Sequence, residues 1–254
     1  HMRILLISDI HSNIEALKAI LNKEKDFDLL AVAGDLVDYG TNPAECVEFF
    51  MNYKKPLALV HGNHDTHLIN IYRNTDWKNV KGKDFKWVHE NCWKLGEEHV
   101  SFLESLPDHL CFEADGWKYM IQHQYDSSYG IIESFKQFDN YWDEFSEYSG
   151  DYSRRRLIFG HSHRQTMSML FGEREWINPG SISYRRPDDP DKEAHYAIIE
   201  DGKVEFRRTA YDRSVQFKVA QEHYKMGDMM ETELQDFYFF FGPAKTSRDP
   251  LKIY

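Results

Sequence analysis

The chain has 254 residues, enough for one large α/β domain, and its 41% hydrophobic and 15% aromatic content is typical of a globular protein rather than a disordered or fibrous one. Its 31 Lys and Arg residues against 42 Asp and Glu residues give a net charge of −11, which disfavours non-specific binding to nucleic acid or to an anionic membrane. Cys46, Cys92 and Cys111 are odd in number and show no C-x-x-C spacing, so we expect no disulfide framework. No apolar run approaches the length of a membrane span or a signal-peptide core, and we expect a cytoplasmic protein.

The first part of the chain alternates short apolar runs with helical patterns. Apolar runs of the length of buried strands lie at residues 3–8, 29–33 and 57–60. Apolar residues at helical spacing lie at 13–23 and 43–53. Repeated βα units of this kind predict a largely parallel sheet.

Two segments interrupt this pattern, and we expect them to be insertions in a single domain that covers residues 2–254; they lie at about 77–106 and 125–156. The first is helical in spacing, which predicts a helical covering with Trp87, Trp93 and Phe102 on its inward faces. The second is rich in Tyr, Phe, Asp, Glu and Ser without the apolar periodicity of a core strand. We interpret it as an inserted lid.

The strand pattern resumes in the second half of the chain. The pair Asp115-Gly116 predicts a hairpin turn between strands at 109–113 and 117–122. Five further strand patterns predict a second, more antiparallel sheet; they lie at 156–159, 166–171, 175–178, 195–200 and 204–209. A helical pattern and an aromatic run close the chain, at 214–225 and 237–241. For the aromatic run we expect packing in the core or at a dimer interface.

Acidic and imidazole side chains follow apolar runs at several places in the chain. Four segments share this arrangement; they are Ser8-Asp9-Ile10-His11, Gly34-Asp35, Gly62-Asn63-His64-Asp65 and Gly160-His161-Ser162-His163. His123 follows the run 119–122 in the same way. In an open α/β sheet the loops at the carboxyl ends of the strands line one crevice, so we expect these residues to converge.

These side chains offer oxygen and nitrogen ligands and no thiolate, a set that suits Mn, Fe, Zn or Co better than Ca or a cysteine-based zinc site. Seven ligands of this kind would imply two ions, and the Asp, Asn and His side chains of these segments are numerous enough to supply them. Asp9 and His11, two apart on a strand extension, point to the same side of the backbone, and a carboxylate such as Asp35 can bridge two ions. A single D-x-H or G-D arises by chance in many proteins, but the full set in this order does not.

These motifs in this order, together with "INPGSIS" and "AHYAIIEDGKVEFRRTAYD" further on, resemble the calcineurin-like metallophosphoesterases, especially small prokaryotic phosphodiesterases and diadenosine-tetraphosphatase-like proteins. The resemblance spans most of the chain. It implies an α/β fold, a four-layer αββα sandwich of two mixed sheets flanked by helices. It also implies the ligands of a first metal, Asp9, His11, Asp35 and His163, and those of a second, Asp35, Asn63, His123 and His161.

The same resemblance implies that His64 is not a ligand but protonates the leaving-group oxygen, with Asp65 as the carboxylate that orients it. Two divalent ions, with Mn²⁺ expected first and Fe, Zn or Co as alternatives, would activate a shared water for in-line attack at phosphorus. A positioned proton donor is typically worth about 10² to 10⁴ in rate.

The chain departs from the family pattern in two places, and its substrate contacts are open. Tyr39 follows Asp38 where the protein Ser/Thr phosphatases carry a phosphate-binding Arg, which argues against a phosphoprotein substrate. Gln124-Tyr125-Asp126 replaces a Gly-Ser-Pro-like turn, so substrate contacts there are not carried over. Asn13 either donates to a phosphate or caps the helix that begins there. Three arginines either pair with phosphate oxygens or are solvated; they are Arg164, Arg185 and Arg186.

From these residues we expect a metal-dependent phosphodiesterase or phosphoanhydride hydrolase acting on a small phosphorylated substrate, with diadenosine tetraphosphate as the first candidate. The alternative enzyme is a phosphomonoesterase of nucleotides or sugar phosphates, because the same two-metal site can run either reaction. A third alternative is a non-catalytic metal-binding scaffold, which the completeness of the ligand set disfavours. We expect no membrane or nucleic-acid partner and leave the oligomeric state open.

Overall fold

The computed structural model describes residues 1–183, 186–189, 191–246 and 249–252. Within these ranges the chain forms ten strands: β1 Arg3–Ile7, β2 Leu29–Val32, β3 Leu57–Leu59, β4 His109–Ala114, β5 Trp117–Gln122, β6 Arg155–Ile158, β7 Gln165–Leu170, β8 Arg174–Pro179, β9 Ala194–Glu200 and β10 Lys203–Thr209. The helices in the same ranges are α1 Ile14–Lys23, α2 Pro43–Met51, α3 Asn63–Asn74, α4 Trp87–Lys94, α5 Glu97–Ser105, α6 Phe135–Phe145, α7 Ser214–Met226 and α8 Glu231–Phe241. None of these helices is long and apolar enough to cross a bilayer.

The first sheet has the strand order β10-β9-β1-β2-β3. β1, β2 and β3 are parallel, as their βα pattern predicts, and the fully buried runs of β1 and β2 suit strands covered on both faces. β9 is antiparallel to β1, with Ile4 opposite Ile199. The prediction that β9 and β10 belong to the second sheet is therefore wrong, because an apolar run reports burial but not which strand it pairs with.

The second sheet has the order β4-β5-β6-β8-β7. β4 and β5 form the predicted hairpin, with Ala114 opposite Trp117. Asp115 and Gly116 in the turn have φ values of 49° and 81°, as a tight turn with two left-handed residues requires. β5, β6 and β8 are parallel, so this sheet is also mixed.

The two sheets pack face to face, with helices on both outer surfaces. One face of β1 packs between the sheets in a cluster that includes Ile4, Leu6, Ala31, Ala58, Tyr119, Ile121, Ile158 and Ile177. The opposite face of β1 packs on α1 and α2 in a cluster that includes Leu5, Ile7, Leu17, Ile20, Val47 and Phe50. Alternate residues of one strand thus enter different cores. The four-layer αββα architecture is confirmed.

The segment 125–156, predicted as a lid, packs on the core through helix α6. Helix α6 begins at a capping box of Ser134 and Gln137, and its side chains Phe138 and Trp142 are buried against the outer face of the second sheet. The lid interpretation is therefore wrong for α6 and applies only to the loop before it. The aromatic residues of α6 recur at helical spacing with polar residues between them, which is the pattern of an amphipathic helix that the sequence interpretation overlooked.

The segment 77–106 is helical, as predicted, but not every aromatic residue in it faces inward. Trp87 is fully buried and Phe102 is half-buried, whereas Trp93 is 55% exposed. The inward prediction is wrong for Trp93, whose ring is nearly perpendicular to that of Trp77 at a centroid distance of 5.1 Å.

Helices α7 and α8 form a hairpin that covers α4. Phe237 stacks on Trp87 with ring centroids 3.9 Å apart, and the whole aromatic run 237–241 is buried within the chain. α8 lacks basic residues in its last turn, and two cations from elsewhere take their place. Arg213 donates to the carbonyl of Phe240 at 3.0 Å, and Lys192 donates to that of Phe239. The aromatic run is therefore core packing.

Candidate metal centre

The predicted ligands come together where strands of both sheets end. Asp9 follows β1 and Asp35 follows β2 in the first sheet, while His123 follows β5, and His161 and His163 follow β6, in the second. These carboxyl ends meet at one edge of the sandwich, as the topology of parallel strands requires. The site is thus built from both sheets.

The backbone at this edge is left-handed at most of the candidate ligands. The φ angles of Asp9, His11, Asp35, His161 and His163 lie between 47° and 71°. Such a conformation costs an L-residue about 1–2 kcal/mol, although Asp and His tolerate it better than most residues. Residues held in this way cluster at functional sites, because the surrounding contacts must outweigh the strain.

The glycines of two motifs allow the loops to approach these carboxylates. A Cβ on Gly62 would lie 2.0 Å from Asp35 Oδ1, the oxygen that accepts a hydrogen bond from the amide of His64 at 2.9 Å. A Cβ on Gly160 would lie 2.6 Å from Asp9 Oδ2. Both glycines are therefore required by close packing around the acids.

The first donor group consists of Asp9, His11 and His163, all of them buried. Asp9 Oδ1 lies 3.1 Å from His163 Nε2 and 3.6 Å from His11 Nε2. The two imidazole nitrogens are 3.2 Å apart. One carboxylate oxygen and two imidazole nitrogens thus face a common point, as the ligands of a single ion do.

The second donor group consists of Asp9, Asp35 and His123, again all buried. His123 Nε2 lies 3.1 Å from Asp35 Oδ2 and 3.9 Å from Asp9 Oδ1. His123 Nδ1 donates to the carbonyl of Ala33 at 2.6 Å, which fixes the tautomer and turns Nε2 toward the acids. Asp9 belongs to both groups in this geometry, and Asp35 Oδ2 lies 3.8 Å from His11 Nε2. The assignment of Asp35 as the carboxylate that bridges the two metal ions stays a prediction.

The residues fit the metal ions that the motifs imply. Asp9 Oδ1, Asp35 Oδ2 and His123 Nε2 are buried and accept or donate no hydrogen bond among the described residues. Buried polar atoms in this state are costly unless something else satisfies them, and a divalent cation would do so for all three. The set contains oxygen and nitrogen donors only, which suits Mn, Fe, Zn or Co.

The charges of the centre shift its pKa values strongly. Burial lowers the pKa of His123, but Asp35 and Asp9 outweigh burial and raise that pKa to about 10. Burial raises the pKa of Asp9, but His163 and His123 outweigh it and hold the pKa well below its usual range. The anionic pocket that attracts a proton to His123 would attract a divalent cation for the same reason, and the cation would replace that proton.

Two predicted ligands lie beside these groups rather than within them. His161 donates from Nε2 to the carbonyl of Ser128 at 3.0 Å, and Tyr129 stacks on its ring at a centroid distance of 4.6 Å. Asn63 is the first residue of α3, is exposed, and lines a cleft together with His123. The ligand roles of His161 and Asn63 stay predictions.

The carboxylate beside His64 is not the predicted one. His64 Nδ1 donates to Asp38 Oδ2 at 2.8 Å. Asp65 instead accepts hydrogen bonds from four backbone amides, those of Asp35, Leu36, Val37 and Gly62. The prediction that Asp65 orients His64 is therefore wrong, because the loop after β2 turns its backbone amides toward Asp65 and the cap of α3 adds the amide of Gly62. The spacing of Asp38 three residues after Asp35 was the signal that could have found it.

We expect Asp65→Asn to destabilise the protein and Asp38→Asn to slow it. Asp65→Asn removes charge-assisted acceptors from several buried amides, and we expect the free energy of unfolding to fall by about 3 kcal/mol or more. Asp38→Asn keeps the left-handed turn and the size of the side chain, so we expect nearly unchanged stability and a lower kcat. Urea unfolding and steady-state kinetics on both variants check this. A large loss of stability in Asp38→Asn alone would contradict it.

The residues predicted to contact the substrate have different environments in the structure. Asn13 is fully buried, accepts from the amide of Ala16 at 3.0 Å and donates to Ser183 and Tyr211, so it is a helix cap and its predicted substrate contact is wrong. Arg186 is buried on backbone carbonyls, and Arg185 lies outside the described residues.

Arg164 is the predicted phosphate contact that lies at the cleft. It is exposed, it pairs with Asp188, and it lines a cleft of about 450 Å³ together with Asp35, His64 and His163. Substrate contact by Arg164 therefore stays a prediction.

Comparisons with known proteins give one family and several relatives. The family model described as the calcineurin-like phosphoesterase superfamily domain matches residues 2–202. An uncharacterized protein of Methanocaldococcus jannaschii is 34% identical over 229 residues, which are 82% of this chain and 88% of that protein. The crystal structure of a metallophosphoesterase from Sphaerobacter thermophilus matches with a TM-score of 0.67 at 25% identity. The match covers 93% of this chain and 98% of that protein's chain.

A shorter match covers about a quarter of the chain. The symmetrical bis(5'-nucleosyl)-tetraphosphatase of Buchnera aphidicola subsp. Schizaphis graminum is 37% identical over 76 residues. These residues are 28% of this chain and 27% of that protein.

Proposed function

The chain belongs to the calcineurin-like phosphoesterase superfamily, and on that premise we propose that it is a dinuclear metal-dependent phosphodiesterase that hydrolyses phosphodiester or phosphoanhydride bonds. The observation that carries the proposal is the meeting of two buried Asp/His donor groups at Asp9, beside a cleft that contains His64. Two adjacent groups favour two ions over one.

The metal ions, when bound, supply an activated water and neutralise charge on the phosphoryl oxygens. Asp9, His11 and His163 would hold one ion, and Asp35 and His123, with the predicted help of Asn63 and His161, the other. Burial of Asp9 and Asp35 away from bulk solvent strengthens their attraction to the cations. No protein side chain needs to act as the nucleophile.

His64 is placed to supply a proton to the leaving oxygen. Its bond to Asp38 keeps a proton on Nδ1 and fixes the ring, so the proton that leaves is carried at Nε2. His64 lines the same cleft as Asp35 and His163, within reach of a phosphate held there. This arrangement is that of a general acid held by a carboxylate.

For the substrate we propose a nucleotide-containing diester or anhydride, with diadenosine tetraphosphate as the first compound to test. The support is the partial similarity to the tetraphosphatase of Buchnera aphidicola and the aromatic loop beside His161. The alternative is a phosphomonoesterase, which the geometry of the centre permits equally.

The test is metal-restored turnover on three substrates. The protein is stripped with chelator, reloaded with Mn²⁺, and assayed on bis(4-nitrophenyl) phosphate, 4-nitrophenyl phosphate and diadenosine tetraphosphate. We expect turnover of the diester or the dinucleotide to return with metal and to exceed that of the monoester. Faster cleavage of the monoester would favour the phosphomonoesterase. Absence of metal-dependent turnover on all three would favour the non-catalytic scaffold.

A further inference from the structure

An apolar cavity opens beside the catalytic cleft. Its volume is about 250 Å³, and its walls include the buried rings of Phe159 and Trp176. Its mouth is formed by Tyr129 and Ile131, which are 75% and 51% exposed. Exposed apolar side chains around a concave site mark a binding surface more often than an incidental one.

The cavity adjoins the cleft that holds the donor groups, and the two spaces share part of their lining. Asp35 and His64 line only the cleft, while four residues line both spaces: Tyr129, His161, Ser162 and Arg164. A phosphate at the metal centre would therefore place a group attached to it in the cavity. The cleft is polar and the cavity is apolar, which matches a ligand with a phosphate at one end and an uncharged ring at the other.

We propose that this cavity binds the nucleobase of the substrate, an inference that rests on the proposed function. The cavity is smaller than the roughly 300 Å³ at which pockets for whole drug-sized ligands begin, so it suits one ring system rather than a dinucleotide. Aromatic walls stack on a base of any identity, and Gln124 and Thr166 add polar atoms for its edge.

The position of His64 says which end of the substrate occupies the cavity. His64 protonates the leaving oxygen in the proposed mechanism, and it lines the cleft but not the cavity. The base in the cavity therefore belongs to the group that stays on phosphorus. Where the attacked phosphorus is the one next to this nucleoside, a nucleoside monophosphate is the product that the enzyme holds last.

The test compares AMP with ribose 5-phosphate by titration calorimetry on the Mn²⁺-loaded protein, because the two ligands differ only in the base. We expect AMP to bind about 10-fold to 100-fold more tightly than ribose 5-phosphate. Ile131→Glu, which places a charge at the mouth, should remove this preference by weakening AMP binding far more than ribose 5-phosphate binding. Ile131→Leu should retain the preference.

Met169→Glu is the matched control, because Met169 is 75% exposed and does not line the cavity. It should change neither affinity. Equal affinities of the wild type for AMP and ribose 5-phosphate, or binding of neither, would overturn the inference. A preference for AMP in a protein without turnover would uphold the inference and count against the proposed function. Turnover without a preference for AMP would support the proposed function and overturn the inference about the cavity.

Discussion

Replacing Asp35 with alanine is expected to remove bound metal and phosphodiesterase turnover together. Asp35 Oδ2 lies 3.1 Å from His123 Nε2 and 3.8 Å from His11 Nε2, so its carboxylate faces ligands of both donor groups. Without it, Asp9 would be the one carboxylate left in the two groups. Since the metal ions contribute several kcal/mol to the transition state, we expect kcat to fall by roughly 10³-fold or more.

Metal content and kcat are measured on the same preparation. The protein is loaded with Mn²⁺, desalted, and analysed for metal by mass spectrometry before assay on bis(4-nitrophenyl) phosphate. Asp26→Ala, which removes an exposed carboxylate away from the centre, is the matched control and should keep the metal content and kcat of the wild type. Full metal content in Asp35→Ala would show that Asp9 and the imidazoles suffice to hold the ions.

Replacing His64 with alanine is expected to leave the metal content unchanged and to lower kcat. His64 belongs to neither donor group, and Asp38 holds its ring toward the cleft. The loss should be about 10² to 10⁴ on a substrate with an alkoxide leaving group, which needs a proton as the bond breaks. It should be much smaller on a 4-nitrophenyl ester, whose leaving group is stable as an anion.

The dependence on the leaving group separates proton donation from a structural role. His67→Ala is the matched control, because His67 is exposed one turn further along α3. It should leave kcat and metal content as they are. A loss in His64→Ala that is equal for both kinds of leaving group, or that is accompanied by loss of metal, would refute the assignment of His64 as the acid.

The sequence predicts the elements that depend on local pattern. β2, and β1 after Arg3, are apolar without interruption because both of their faces are covered, and such runs are visible in one sequence. The five residues of the two donor groups all follow strands or strand extensions, so a rule about the ends of parallel strands was enough to bring them together.

The predictions that failed depend on contacts between distant parts of the chain. β9 pairs with β1 across almost the whole sequence, and no local pattern identifies that partner. Trp93 is in a helix with an apolar pattern, yet its side chain points away from the core that the neighbouring helices form. Local pattern limits which residues can be buried, and tertiary packing selects among them.

The wrong prediction of Asp65, rather than Asp38, as the partner of His64 has a different physical cause. Sequence position placed Asp65 next to His64, but consecutive residues of a helix point in different directions. Asp38 is far from His64 along the chain and near it in space because the loop after β2 turns back over the start of α3. Adjacency in sequence is therefore a poor guide to the partner of a catalytic side chain.

The construction of the centre from both sheets affects which substitutions the chain can tolerate during evolution. In the layer between the sheets, small side chains of the first sheet, such as Ala31 and Ala58, pack in the same cluster as large ones of the second, such as Tyr119 and Ile158. The thickness of this layer sets the spacing between Asp9 and the histidines opposite. An enlarged alanine would separate the sheets slightly and cost only about 1–3 kcal/mol of stability, whereas displacement of reacting groups by about 1 Å can cost on the order of 100-fold in rate. Natural variation should therefore be narrower in this inner layer than beneath the outer helices.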